Sequence, residues 1–143
     1  MMAAFSAAVS AADFSGTWKL DTAKSKYEGM PAPKDSTVTI TTNGSGFDYM
    51  AMGTSASGES IHSMYTFVKD GAPIKTTGFP NWDGIVITHS ADPKLDIDFM
   101  RGGKSIGKGV RDLAKDGKMY TVSGKIKLAD GKSASFKAVY VKQ

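Results

Sequence analysis

The chain has 143 residues, 41% hydrophobic and 22% charged, which fits one ordinary globular domain and excludes a disordered or fibrous chain. It contains no cysteine, so a disulfide framework, a thiolate nucleophile and a Cys-ligated metal are excluded. The net charge of +4 comes with lysines scattered singly along the chain, which reads as a solvated surface; nucleic-acid binding is not expected.

From Met1 to Ala12 every residue is apolar or small. Ser10-Ala11-Ala12 fits the small-x-small pattern before a signal-peptidase cut, which would leave Asp13 as the mature N-terminus. No Lys or Arg precedes Lys19, so residues 1–12 read as a truncated signal peptide, with a flexible tail as the alternative. Residues 13–143 then make a single domain, periplasmic or secreted. No later run approaches about eighteen apolar residues, so no transmembrane segment is expected.

Short runs of alternating polarity follow, separated by Asn43-Gly44, Asp70-Gly71, Asp83-Gly84, Gly102-Gly103, Asp116-Gly117 and Asp130-Gly131. These dipeptides are of the kind favoured in type I′ hairpin turns, which demand positive φ. Val38, Ile40 and Thr42 oppose Thr37, Thr39 and Thr41. Ile61, Ser63, Tyr65 and Phe67 oppose His62, Met64, Thr66 and Val68, and Leu95, Ile97 and Phe99 oppose Asp96, Asp98 and Met100. This period of two predicts strands near 14–20, 36–43, 46–53, 60–69, 72–78, 84–90, 94–101, 105–114, 118–128 and 133–142. The one helical candidate, Thr22 to Glu28, is short and stops before Pro31 and Pro33. The predicted fold is all-β: an antiparallel up-and-down meander of about ten strands closed into a small barrel, with at most one short helix after the first strand. A two-sheet sandwich is the alternative.

No catalytic constellation survives inspection. His89-Ser90 near Asp92 imitates a triad, but neighbouring strand residues point to opposite faces. His62 and His89 stand on separate strands and read as solvent-facing, without the spacing of metal ligands. Gly103-Lys104-Ser105 echoes a phosphate-binding loop, but position 98 is Asp98 where that motif needs glycine, and no helix follows. Glycines 102, 103, 107 and 109 read instead as a turn and a barrel bend or bulge. Asp96 and Asp98 share a face, about 7 Å apart, opposite an apolar face, so they read as solvated and not as a catalytic pair. Met50, Met52, Met64, Met100 and Met119 fall within strands and line an adaptable interior or serve as ordinary core. Catalytic residues, cofactors and metals are not expected.

The stretch Phe14-Ser15-Gly16-Thr17-Trp18-Lys19-Leu20 resembles the opening strand of the calycins, the barrels that include lipocalins, avidins and fatty-acid-binding proteins. Val110-Arg111-Asp112-Leu113, then Asp116-Gly117-Lys118-Met119, is similar to a late hairpin of the fatty-acid-binding branch, where an internal Arg precedes a D-G-K turn. Tyr140 lies where that branch ends in an Arg-x-Tyr pair, although position 138 is Ala138. Residues 21–35 are too short, and too proline-rich, for that branch's helix-turn-helix lid. The resemblance therefore implies a bacterial-type, exported, lipocalin-like barrel. It also implies that Arg111 and Tyr140 take the polar end of a ligand.

Independently of any family, Trp18 has the area to plug one end of a barrel, and Gly16 permits close backbone approach there. Arg101 and Arg111 are the arginines available to stack on its indole. Phe67, Phe79 and Trp82 lie near turns and are candidates for contact with a ligand's apolar body. The expected partner is a small hydrophobic or amphipathic molecule carried in the interior. The alternative is a non-catalytic envelope or interaction module with a filled core, favoured if the cavity falls below about 300 Å³.

Overall fold

The computed structural model describes residues 14–91 and 93–143, so the expected signal segment and Asp92 lie outside the described residues. Eleven strands form: β1 Gly16–Leu20, β2 Lys26–Glu28, β3 Asp35–Asn43, β4 Gly46–Thr54, β5 Ser60–Phe67, β6 Pro73–Lys75, β7 Gly84–Ala91, β8 Lys94–Arg101, β9 Lys104–Leu113, β10 Met119–Lys127 and β11 Ser133–Lys142. They pair antiparallel in the single order β5-β4-β3-β1-β11-β10-β9-β8-β7-β6, with β2 beside β11. First and last strands zip together through Trp18↔Lys142 and Leu20↔Tyr140. The remaining seam, between β5 and the residues after β6, is short. Met64 and Thr77 exchange backbone hydrogen bonds of 3.0 and 3.1 Å, and Ser63 Oγ donates to Gly78 O at 2.8 Å. One continuous sheet thus curls into a nearly closed barrel, not a sandwich.

Two local expectations need correction. Thr22 to Glu28 is not helical. Asp21 Oδ1 caps a turn by accepting from Ala23 N and Lys24 N at 3.1 and 3.2 Å, and β2 then pairs with Lys137, Phe136 and Ser135 of β11. Ser25 Oγ spans the gap, donating to Asp21 O at 2.7 Å and accepting from Val139 N at 2.9 Å. β1 and β2 therefore follow β11 as one interrupted edge, which satisfies more backbone groups than an isolated helical turn would.

The turns also differ. Among the described residues only glycines take positive φ, so the type I′ pattern needing two such residues is met at Gly102-Gly103, with φ of 60° and 80°. At Asp116-Gly117 and Asp130-Gly131 the aspartate instead accepts from the amide two residues on, at 2.9 Å in both cases, and glycine alone turns left-handed.

The core is one apolar cluster inside the barrel. Trp18, fully buried, donates from Nε1 to Phe14 O at 2.8 Å and meets Tyr120 edge-on at 4.8 Å. A Cβ on Gly16 would stand 2.9 Å from Lys142 Cε, so what comes close there is a side chain and not backbone. The cation beside the indole is Lys142, with Nζ 5.6 Å from the ring, and neither arginine takes that place. Register explains it: Lys142 is paired with Trp18 itself, whereas Arg111 is set within β9.

The strand methionines are not interior. Met52 and Met64 are 51% and 42% exposed, and Met50, Met100 and Met119 alternate with buried neighbours and face outward. His62 and His89 are exposed on β5 and β7, strands that are not neighbours in the sheet. No helix of the described residues is long and apolar enough to cross a membrane.

Candidate functional site

Arg111 sits on β9, opposite Leu95 of β8 and Val122 of β10, at a position whose side chain points into the barrel. It is 5% exposed. Its Nη2 donates to Tyr65 Oη at 3.1 Å, and its guanidinium lies over the rings of Tyr49, Tyr120 and Phe14 at 5.2, 5.4 and 5.7 Å. Each such contact contributes roughly 0.5–2 kcal/mol. Among the described residues, Arg111 has no carboxylate partner, and its Nε and Nη1 find no acceptor. A buried ionised group with open donors is costly, several kcal/mol before compensation.

The neighbouring hydroxyls cannot neutralise it. Burial, joined by charge interactions with Tyr140 for Tyr49 and with Tyr49 for Tyr120, raises both well above the ordinary value of 10.0. Burial likewise raises Tyr140 and Tyr27. All four are phenols at neutral pH. For Arg111 itself, burial acts to lower the pKa, and the coulombic interactions with tyrosines that oppose burial need phenolates, so they are absent where those groups keep their protons. The guanidinium nonetheless stays a cation at neutral pH.

Beside Arg111 lies a cavity of about 140 Å³. Tyr49 and Tyr65 form one wall, stacked at 4.6 Å and 17°. Phe79 and Trp82, from the loop between β6 and β7, form another, stacked at 5.2 Å and 23°. Trp82 continues onto Phe99 at 4.5 Å and Phe136 at 6.3 Å, and Tyr27 of β2 stacks on Phe136 at 6.4 Å. Gly109 and Gly124 make room for these rings. A Cβ at either would approach Phe99 Cε2 to 2.9 or 3.1 Å, and at Gly124 also Phe136 Cζ to 2.9 Å. The loop carrying Trp82 is tied down by Arg101, which donates to Asn81 O at 3.0 Å and Lys127 O at 3.1 Å.

Of the residues singled out in the sequence, Arg111, Tyr140, Phe79 and Trp82 line this cavity. Phe67 does not: it is buried against Phe47 at 5.2 Å, one inward position beyond Tyr65. Tyr140 Oη sits 3.4 Å from Ser36 Oγ. Lining residues that sequence reading missed include Tyr27, hidden in the supposed helix, and Tyr49, Tyr65 and Phe136, whose alternation was visible without its inward direction. Met30 is the methionine that reaches the cavity, from a segment outside any strand. The volume lies below the 300 Å³ set above for an ordinary ligand pocket.

Asp98 accepts from Ser105 Oγ and lies 3.9 Å from Lys108 Nζ on the outer surface, away from the cavity. Among the described residues no nucleophile stands beside a base in the cavity, whose chemistry is one cation among phenols and apolar side chains.

Comparison with known proteins gives a fold and no family. No family model matches the chain, and no curated protein matches it. Among solved structures, the zebrafish ileal bile acid-binding protein complexed with cholic acid matches with a TM-score of 0.58 at 16% identity. The match covers 91% of this chain and 98% of that one. At that identity the likeness is one of architecture, and this chain has the same kind of all-β barrel.

Proposed function

We propose that this chain is an exported binder of a small amphipathic molecule bearing one negative charge, held in the barrel with its charged end at Arg111. The observation that carries the reading is the buried guanidinium whose Nε and Nη1 have no acceptor among the described residues, beside an aromatic cavity. A ligand carboxylate supplies those acceptors and the missing charge in one step. The barrel likeness to a protein complexed with cholic acid, itself an amphipathic acid, supports the use of such an interior. Export is supported by the small-residue stretch ending at Ala12.

The volume of about 140 Å³ favours a second reading, a non-catalytic envelope or interaction module with a filled core. Native mass spectrometry of protein purified from its own host separates the two. The binder reading expects a mature mass starting at Asp13 and an acid adduct that Arg111→Ala abolishes. A ligand-free mass under gentle ionisation, together with no displacement of a fluorescent fatty acid, establishes the filled module instead. A mature chain that keeps residues 1–12 removes export.

A further inference from the structure

The size and lining of the cavity say more about the ligand than its charge does. The space of about 140 Å³ is close to the roughly 150 Å³ of an engineered apolar cavity that accepts benzene, and less than half the lower limit of common drug-sized pockets. A long acyl chain or a four-ring steroid acid exceeds it. Filling it with such a molecule requires Phe79, Trp82 or Phe136 to leave stacked positions that are already occupied.

The walls are planar. Tyr49 lies on Tyr65 at 17°, Phe79 on Trp82 at 23°, and Trp82 on Phe136 at 25°. Ring faces in this arrangement favour another ring, offset-stacked or edge-on, beyond what the buried area alone supplies. A flat ligand also loses few torsions on binding, whereas a flexible chain loses many.

The charge balance is single. Arg111 is the one charged side chain among the described lining residues, and burial holds Tyr49 and Tyr140 as neutral phenols. One carboxylate matches it. A dianion would leave a second charge uncompensated among aromatic rings.

We infer that the ligand is a compact planar aromatic monocarboxylate with a single ring, its carboxylate on Arg111 Nε and Nη1 and its ring against the Tyr49–Tyr65 and Phe79–Trp82 faces. This rests on the binder reading above, and the test keeps the two apart. Calorimetric titration of the full chain uses four probes: benzoate, its neutral analogue benzyl alcohol, palmitate and cholate. The expected order places benzoate at least about tenfold tighter than each of the others, a difference of about 1.4 kcal/mol. Arg111→Met should weaken benzoate to the level of the neutral analogue. If that variant fails to fold, the acid-versus-alcohol comparison on the unaltered chain carries the same information. Phe136→Ala, which enlarges the cavity, should shift the preference toward palmitate.

Tighter binding of palmitate or cholate than of benzoate, still dependent on Arg111, overturns the aromatic acid and leaves the binder reading standing. Equal binding of benzoate and benzyl alcohol overturns the role of Arg111. No binding of any acid overturns both readings.

Discussion

Trp18 and Arg111 are both buried among aromatic rings and share Phe14 and Tyr120 as neighbours, yet they differ in how their polar groups are satisfied. Trp18 is fully buried, its Nε1 is bonded to Phe14 O, and it meets Tyr120 edge-on. Arg111 is almost as deeply buried but has one hydrogen-bonded nitrogen and two without partners. Trp18 and its neighbours settle the fold. Arg111 costs the fold something, and such a cost persists in a barrel when the group has another use.

The largest effect that sharpens this contrast is at Trp18. Trp18→Ala should lower unfolding free energy by about 3–5 kcal/mol in urea titrations, because a fully buried indole is lost from the core. A loss under about 1 kcal/mol would show that the indole is not part of the packed core. Gly124→Ala comes next, at about 1–3 kcal/mol, since its Cβ would meet the rims of Phe136 and Phe99 within 3.1 Å. The same variant should shrink the cavity, so ligand affinity should fall more than for a substitution at exposed Met52.

How far the sequence reached follows the same division. Strands and barrel fold were legible because alternation and glycine turns are local, and the F-x-G-T-W-K-L stretch carries the fully buried Trp18. β2 was not, because its bond between Ser25 and Val139 joins residues 114 positions apart. Arg111 and Tyr140 stood out through resemblance, while Tyr49 and Tyr65 were hidden by an ambiguity of direction. On β5 both faces carry apolar residues, Met64 on one and Tyr65 on the other, and only sheet curvature decides which turns inward. Phe67 was chosen for its position near a turn, which says nothing about depth along the barrel.

The smallest effect is absent at neutral pH. Tyr27, Tyr49, Tyr120 and Tyr140 have native pKa values raised above 10.0, chiefly by burial, so above pH 10 the native state holds protons that the unfolded chain releases. Their contribution is therefore fully present below pH 10 and is lost as pH rises through the native values. Urea titrations should show flat stability from pH 7 to about 9, then a decline accompanied by the tyrosinate absorbance of these four appearing only as the barrel opens. Tyrosinate absorbance equivalent to all four forming in the folded protein near pH 10 would show that these phenols are accessible to water.

The most direct test of the account removes the cation without removing its volume. Chemical denaturation of ligand-free Arg111→Met against the unaltered chain should show a gain of about 1–2 kcal/mol, because an apolar stem replaces a buried charge with open donors. A loss of about 2 kcal/mol or more would contradict it, placing the guanidinium among the groups that hold the barrel together and not among those waiting for a ligand.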